Sequence, residues 1–180
     1  RMRMRWTGWH GDTLQFINET GASETIAASA TLLALGGASW PKLGSDGSWV
    51  DILAARNIDV APLKPANAGF EANWSAHFRD RFAGEPLKAI ALRFDEHEAR
   101  GEAIVTRYGL EGGAIYALSA QLRDAFARGV VTLHIDLRPT LTREQVAAKL
   151  ANAKRGDTLS STLRKHLNLA PVAINFLREN

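Results

Sequence analysis

A chain of 180 residues, 46% hydrophobic and 23% charged, fits one large domain or two small ones and excludes wholesale disorder. It contains no cysteine, which excludes disulfides, thiolate catalysis and Cys-ligated metals and fits a cytoplasmic location. The net charge of +3 is too weak to imply nucleic acid by itself, and the longest apolar run falls far short of the ~18 residues of a membrane span.

Arg1-Met2-Arg3-Met4-Arg5-Trp6 alternates basic and apolar residues with period two, as a half-exposed strand does. Its charge is followed by no apolar stretch, which argues against a signal peptide; a chain that opens inside a strand is expected to be a piece of something longer. Asp12–Asn18 and Ser23–Ala27 read as further strands of a meander, separated by the turn-like Glu19-Thr20-Gly21-Ala22. Thr31–Leu35 is a short apolar run closed by Gly36-Gly37, which predicts a strand buried on both faces, as in a parallel sheet. Paired glycines let a backbone approach a ligand closely, and ligands of open α/β sheets lie beyond the carboxyl ends of strands. The run therefore predicts a cofactor edge. Trp49, Val50, Leu53 and Ala54 then recur at helical spacing, giving a short helix that ends near Asn57.

Asp59–Pro65 carries two prolines and predicts a domain crossing, with one domain over 1–61 and a β-rich one over 62–140. In the latter, Pro86–Phe94 and Ala99–Arg107 read as strands joined by Asp95-Glu96-His97-Glu98. Tyr108 to Gly113 is expected to open a helix with the stripe Ile115, Leu118, Leu122 and Phe126, ended by Gly129. Val130–Leu137 follows as a strand with Val131, Leu133, Ile135 and Leu137 on one face. The last part, 141–180, reads as helical: Thr142 caps with Gln145 at the capping-box position, and Thr158–Leu167 and Pro171–Leu177 form two short helices. The order predicts an α+β, or mixed α/β, protein with an insertion.

Residues of chemical interest are few. His10, His77, His97, His134 and His166 show no metal-ligand spacing, so no metal is expected. Ser39 lacks the Gly-x-Ser-x-Gly elbow of a serine hydrolase. Gly37 to Lys42 is only loosely like a phosphate loop, because Pro41 removes a backbone N–H, and no Gly-x-Gly-x-x-Gly occurs. The basic tail with Lys149, Lys154, Arg155, Arg164, Lys165 and Arg178 reads first as a solvated face, with phosphate contact as the alternative. Trp40, on a Gly/Pro loop, is equally balanced between a plain surface residue and a lining of a ligand pocket.

Three blocks carry a resemblance. Leu33 to Gly47 (Leu-Ala-Leu-Gly-Gly-Ala-Ser-Trp-Pro-Lys-Leu-Gly-Ser-Asp-Gly), Pro62 to Phe70 and Gly101 to Ile115 resemble, in order, segments of the BaiN-type, aminoacetone-oxidase-like flavoproteins, which are FAD-dependent oxidoreductases. Leu35 stands in place of the usual Thr, Arg107 where His is common, and Glu111-Gly112-Gly113 in place of Ser-Gly-Pro, suggesting a subfamily.

The resemblance implies part of a Rossmann-like FAD-binding domain interrupted by a small β-barrel-like domain with a helical tail. It implies FAD as cofactor of the complete enzyme, with NAD(P)H as an admissible reductant, and weak or absent FAD binding by this chain alone. Leu35, Gly36, Gly37, Ser39, Trp40, Lys42, Gly44 and Gly47 would lie on the cofactor side, and Thr106, Arg107, Tyr108 and Gly109 on the substrate side. The expected partners are the rest of the flavoprotein and a small-molecule substrate, with neither membrane nor nucleic acid. A free-standing protein- or nucleic-acid-binding module derived from the inserted domain is the alternative.

Overall fold

The computed structural model describes residues 3–179 and shows two compact units, one ending at Lys64 and the other beginning at Pro65. The division falls inside the proline-bearing segment 59–65.

In the first unit, β1 (Met4–His10), β2 (Thr13–Asn18) and β3 (Ser23–Ile26) form an antiparallel meander in that order. Arg1 and Met2, where the first strand was expected to start, lie outside the described residues, and β1 runs past Trp6 to His10. Helix α1 (Trp49–Ala54) packs on β1, where a Cβ on Gly8 would stand 3.2 Å from Ile52 Cγ2. Trp6 and Trp9 meet edge-on at 4.8 Å, and the Arg56 guanidinium lies 5.1 Å over the Trp9 ring while donating to the Gly11 carbonyl. Leu53 is the one buried hydrophobic among the described residues of this unit. A meander with one covering turn of helix has almost no core of its own.

The buried strand expected over Thr31–Leu35 is not there. Residues 31–37 form no ladder, and Leu32 is 92% exposed. A strand buried on both faces takes that burial from neighbouring strands and covering layers. The meander pairs β1 with β2 and β2 with β3 and offers the run no place.

The second unit is a mixed α+β fold. Its five-stranded antiparallel sheet, in the order β4 (Phe70–Glu71), β7 (Gly109–Glu111), β6 (His97–Val105), β5 (Pro86–Phe94) and β8 (His134–Asp136), curls into a half barrel. The hairpin turn is Asp95-Glu96 alone; His97 and Glu98, expected in the linker, already pair with Phe94 and Arg93. The long expected helix is three elements instead. Gly109–Glu111 is strand β7, Gly112 at φ +103° turns the chain, and α3 (Gly113–Ala117) is separated from α4 (Ser119–Phe126) at Leu118. The strand expected over Val130–Leu137 shrinks to β8, although Val131, Leu133, Ile135 and Leu137 do pack on the core together. Helix α2 (Ala76–Phe82) was not expected; the Ser75 hydroxyl caps it by accepting from the Phe78 N–H, and Phe78 and Phe82 are its buried face.

The tail follows the sequence pattern closely. Helix α5 (Arg143–Leu150) carries the full Thr142/Gln145 capping box, α6 (Leu159–Leu167) is capped by Thr158, and α7 (Pro171–Phe176) opens on Pro. Two turns, at 151–152 and 155–156, join α5 to α6. The core is contiguous: Phe78, Ile90, Leu92, Val105, Ile115 and Leu122 are at most 1% exposed, each worth about 1.5–3 kcal/mol of burial. Trp74 meets Phe78 and Phe176 edge-on above it. Among the described residues no helix is long and apolar enough to cross a membrane.

Candidate functional site

Leu35 to Gly47, read from the sequence as a cofactor edge, forms a compact loop in the first unit. Pro41–Leu43 is a single 3-10 turn closed by Gly44 at φ +84°, with the Gly44 N–H donating to the Pro41 carbonyl at 3.0 Å. Trp40 and Ser45 bridge across it: the Trp40 N–H donates to the Ser45 carbonyl and the Ser45 N–H to that of Trp40. The Leu43 N–H also donates to Trp40, at 2.9 Å. Asp46 Oδ1 accepts from the Ser48 N–H at 3.0 Å, and this bond, with a further one from Ser48, holds its carboxyl below the ordinary range. Gly47, at φ +73°, could carry no side chain, because a Cβ would lie 2.8 Å from that of Ala38.

This geometry separates two demands of a dinucleotide. A phosphate cradle needs convergent free N–H groups. The N–H groups of Trp40, Leu43, Gly44 and Ser45 are spent inside the loop, and Pro41 has none. The loop is therefore no pyrophosphate cradle. The glycine pair is different. Gly36 adopts φ +69°, open only to glycine at low cost, yet a Cβ there would meet nothing within 4 Å. Gly36 and Gly37 thus present bare, exposed backbone. Leu35 is half-buried, whereas Ser39, Trp40, Lys42 and Gly44 are exposed.

Thr106, Arg107, Tyr108 and Gly109 come together in the second unit as the tight turn from β6 to β7. Thr106 Oγ1 accepts from the Tyr108 N–H at 3.3 Å and the Gly109 N–H at 3.0 Å, so the turn is held by its own side chain. Arg107 and Tyr108 line an open cavity of about 400 Å³ with Glu71, Asn73, Trp74 and Arg79. Arg107 Nη2 donates to Asp80 Oδ1 at 3.2 Å, and Arg79 Nε donates to the same oxygen at 3.3 Å. Two guanidiniums sharing one carboxylate keep spare donors for a polar ligand; the pairs are exposed and add little stability.

Sequence reasoning missed Asn73, Trp74, Arg79 and Asp80. The signal that could have found them is Ser75 followed by Phe78 and Phe82, a capped helical face that puts Arg79 and Asp80 beside the Arg107 turn. Gly109 is positioned by contact: a Cβ there would overlap the Phe70 carbonyl oxygen of the adjoining strand. Four of the histidines are exposed and His166 half-buried, and no group of three metal-ligating side chains gathers among the described residues.

No curated protein matches this chain. Residues 64–179, the whole half barrel and helical tail, match the HI0933-like protein barrel and H2TH domain. With well over half its length matched, the chain belongs to the HI0933-like barrel and H2TH family, a family of FAD-dependent-oxidoreductase-related proteins.

Proposed function

We propose that this chain is the central part of an FAD-dependent oxidoreductase of the BaiN-type, aminoacetone-oxidase-like kind, and that it works in the cytoplasm. The family match across 64–179 carries the reading, because it assigns the second unit to a flavoprotein context. In this reading Gly36 and Gly37 contribute a backbone edge to the flavin, with Leu35, Ser39, Trp40, Lys42, Gly44 and Gly47 shaping the loop around it. The turn Thr106 to Gly109 faces the small-molecule substrate. FAD supplies the redox chemistry when bound, with NAD(P)H as an admissible reductant, while the protein binds, orients and excludes water.

The phosphate-binding part of the site is sought elsewhere in the flavoprotein, since the 40–45 loop has spent its N–H groups. The near-absence of a core in the first unit supports the same reading: its apolar run at 31–35 suits a sheet supplied by the rest of the flavoprotein. The test is spectroscopic. Purified with excess FAD and desalted, the 180-residue chain should retain no stoichiometric yellow flavin. Within a longer flavoprotein containing this segment, Gly37→Val should lower flavin content at least severalfold. Normal flavin content in that variant would overturn the cofactor-edge assignment.

A further inference from the structure

A second cavity, of about 510 Å³, lies in the second unit between the two end strands of the half barrel. Phe70 and Glu71 of β4 line one side, and His134 and Ile135 of β8 the other. The two strands have only two and three residues, and residues 130–133, which lead into β8, join no ladder. The curled sheet therefore stays open here. Burial alternates along the lead-in: Val131, Leu133 and Ile135 are half-buried, whereas Val130, Thr132 and His134 are exposed. The first set is turned inward, as on a strand with one buried face.

The walls of the cleft are largely apolar and aromatic. Phe70 and Phe126 stack at 5.2 Å with their planes 14° apart. Trp74 spends its indole N–H on the Gly109 carbonyl, so it brings ring carbon to the cleft. Phe126 and Leu177, which also line it, are each 47% exposed. Accessible apolar surface in a concave site of this volume suits a small molecule, whereas a flat protein surface would leave the cleft unfilled. Charge narrows the class. No Lys or Arg lines the cleft, and its titratable groups, Glu71 and His134, are exposed and so screened by solvent. An anion would find no counter-charge there, and a cation only a screened carboxylate. Aromatic side chains in turn pack best on another ring. We propose that this cleft binds a flat, neutral aromatic molecule, held among Phe70, Trp74 and Phe126. The site does not depend on the flavin reading and stands if that reading fails.

The test uses the 180-residue chain labelled with 5-fluorotryptophan, its Trp74 ¹⁹F signal assigned through Trp74→Phe. The probes are 2-naphthol, which is neutral near neutral pH, and its charged analogues 2-naphthoate and 2-naphthylmethylammonium. The expected result is a saturable shift of the Trp74 signal with 2-naphthol while the other four tryptophan signals stay in place. Each charged analogue should bind about tenfold more weakly or worse, because its charge goes unpaired in an apolar site. Phe126→Ala and Leu177→Glu should each weaken 2-naphthol binding about threefold or more. Both side chains are half exposed, so the circular dichroism of these variants should stay that of the parent chain. Val130→Ser, at an exposed apolar residue outside the cleft, should bind like the parent chain. The proposal is overturned if Trp74 gives no saturable response, if all five tryptophan signals move together, or if either charged analogue binds as tightly as 2-naphthol. It is equally overturned if Phe126→Ala or Leu177→Glu binds like the parent chain, if Val130→Ser weakens binding as much as they do, or if the Trp74 signal of the free chain shifts with protein concentration, which would put a second copy in the cleft.

Discussion

Replacing Gly109 with Ala should unfold the edge of the half barrel that carries the Thr106–Gly109 turn. A Cβ at Gly109 would overlap the Phe70 carbonyl oxygen and stand 2.8 Å from both the Ala72 nitrogen and Glu71 Cα. All three contacts are backbone, so no side chain can rotate away; β4 must leave β7. Overpacking of this sort costs about 1–3 kcal/mol. The Ala72 N–H bond to the Tyr108 carbonyl, at 2.8 Å, and the Phe70–Leu110 pairing are lost with it, at about 1 kcal/mol for each hydrogen bond. The sum is roughly 3–5 kcal/mol. Urea denaturation followed by far-UV circular dichroism measures it. A ¹⁹F label on Trp74, the sole tryptophan after Lys64, reports the local loss, because its indole N–H donates to the Gly109 carbonyl. Gly113→Ala is the matched control: a Cβ there meets nothing within 4 Å, and in the first turn of a helix alanine gains up to about 1 kcal/mol. Gly109→Ala within 0.5 kcal/mol of the parent chain, on the order of an ordinary surface change, would refute the packing argument.

The acid limb of stability should depend on Asp157. The Lys165 ammonium, bonded at 3.0 Å, and the Lys154 N–H hold its carboxyl below the ordinary range. A depressed carboxyl stabilises above its unfolded pKa of about 3.9 and loses that contribution as pH falls through the folded value. Asp157→Asn should therefore flatten the fall in Tm below about pH 4, and an unchanged acid limb would contradict the pairing. Leu32→Ser should change stability by less than about 0.5 kcal/mol, since the side chain is 92% exposed. A loss of about 2–5 kcal/mol in the 180-residue chain would mean that the run is buried after all.

What the sequence disclosed was structure whose signal is local. The hairpin of β5 and β6 shows in two strand-like runs about a charged linker, and the starts of α5, α6 and α7 show in Thr142, Thr158 and Pro171. What it concealed depends on partners distant in the chain. Strands β4 and β7 have two and three residues, too short for any alternation to register, and exist because they pair with each other. The stripe Ile115, Leu118, Leu122 and Phe126 is helical in period, but Leu118 at φ −107° interrupts it, and no propensity of Leu announces the break. The turn at Thr106 was readable as residues, while its neighbours Arg79 and Asp80 became visible only once α2 was in place.

Thr31–Leu35 is the instructive disagreement. Its composition is that of a segment expected to be buried, yet Thr31 to Ala34 are exposed and only Leu35 is half-buried. Two explanations compete: a tolerated exposed apolar run, or a strand whose sheet belongs to another part of the flavoprotein. Single exposed leucines are ordinary on protein surfaces, but an unpaired apolar run carrying open backbone groups is a template for aggregation. Among the described residues the same unit buries one hydrophobic residue, and a Cβ on Gly36 would meet nothing within 4 Å. A covering sheet removes all three mismatches at once, burying the run, supplying the missing core and bringing a ligand to Gly36. Tolerance explains only the first. On that ground the apolar run and the glycine pair enter the proposed function together, as one edge of a cofactor domain.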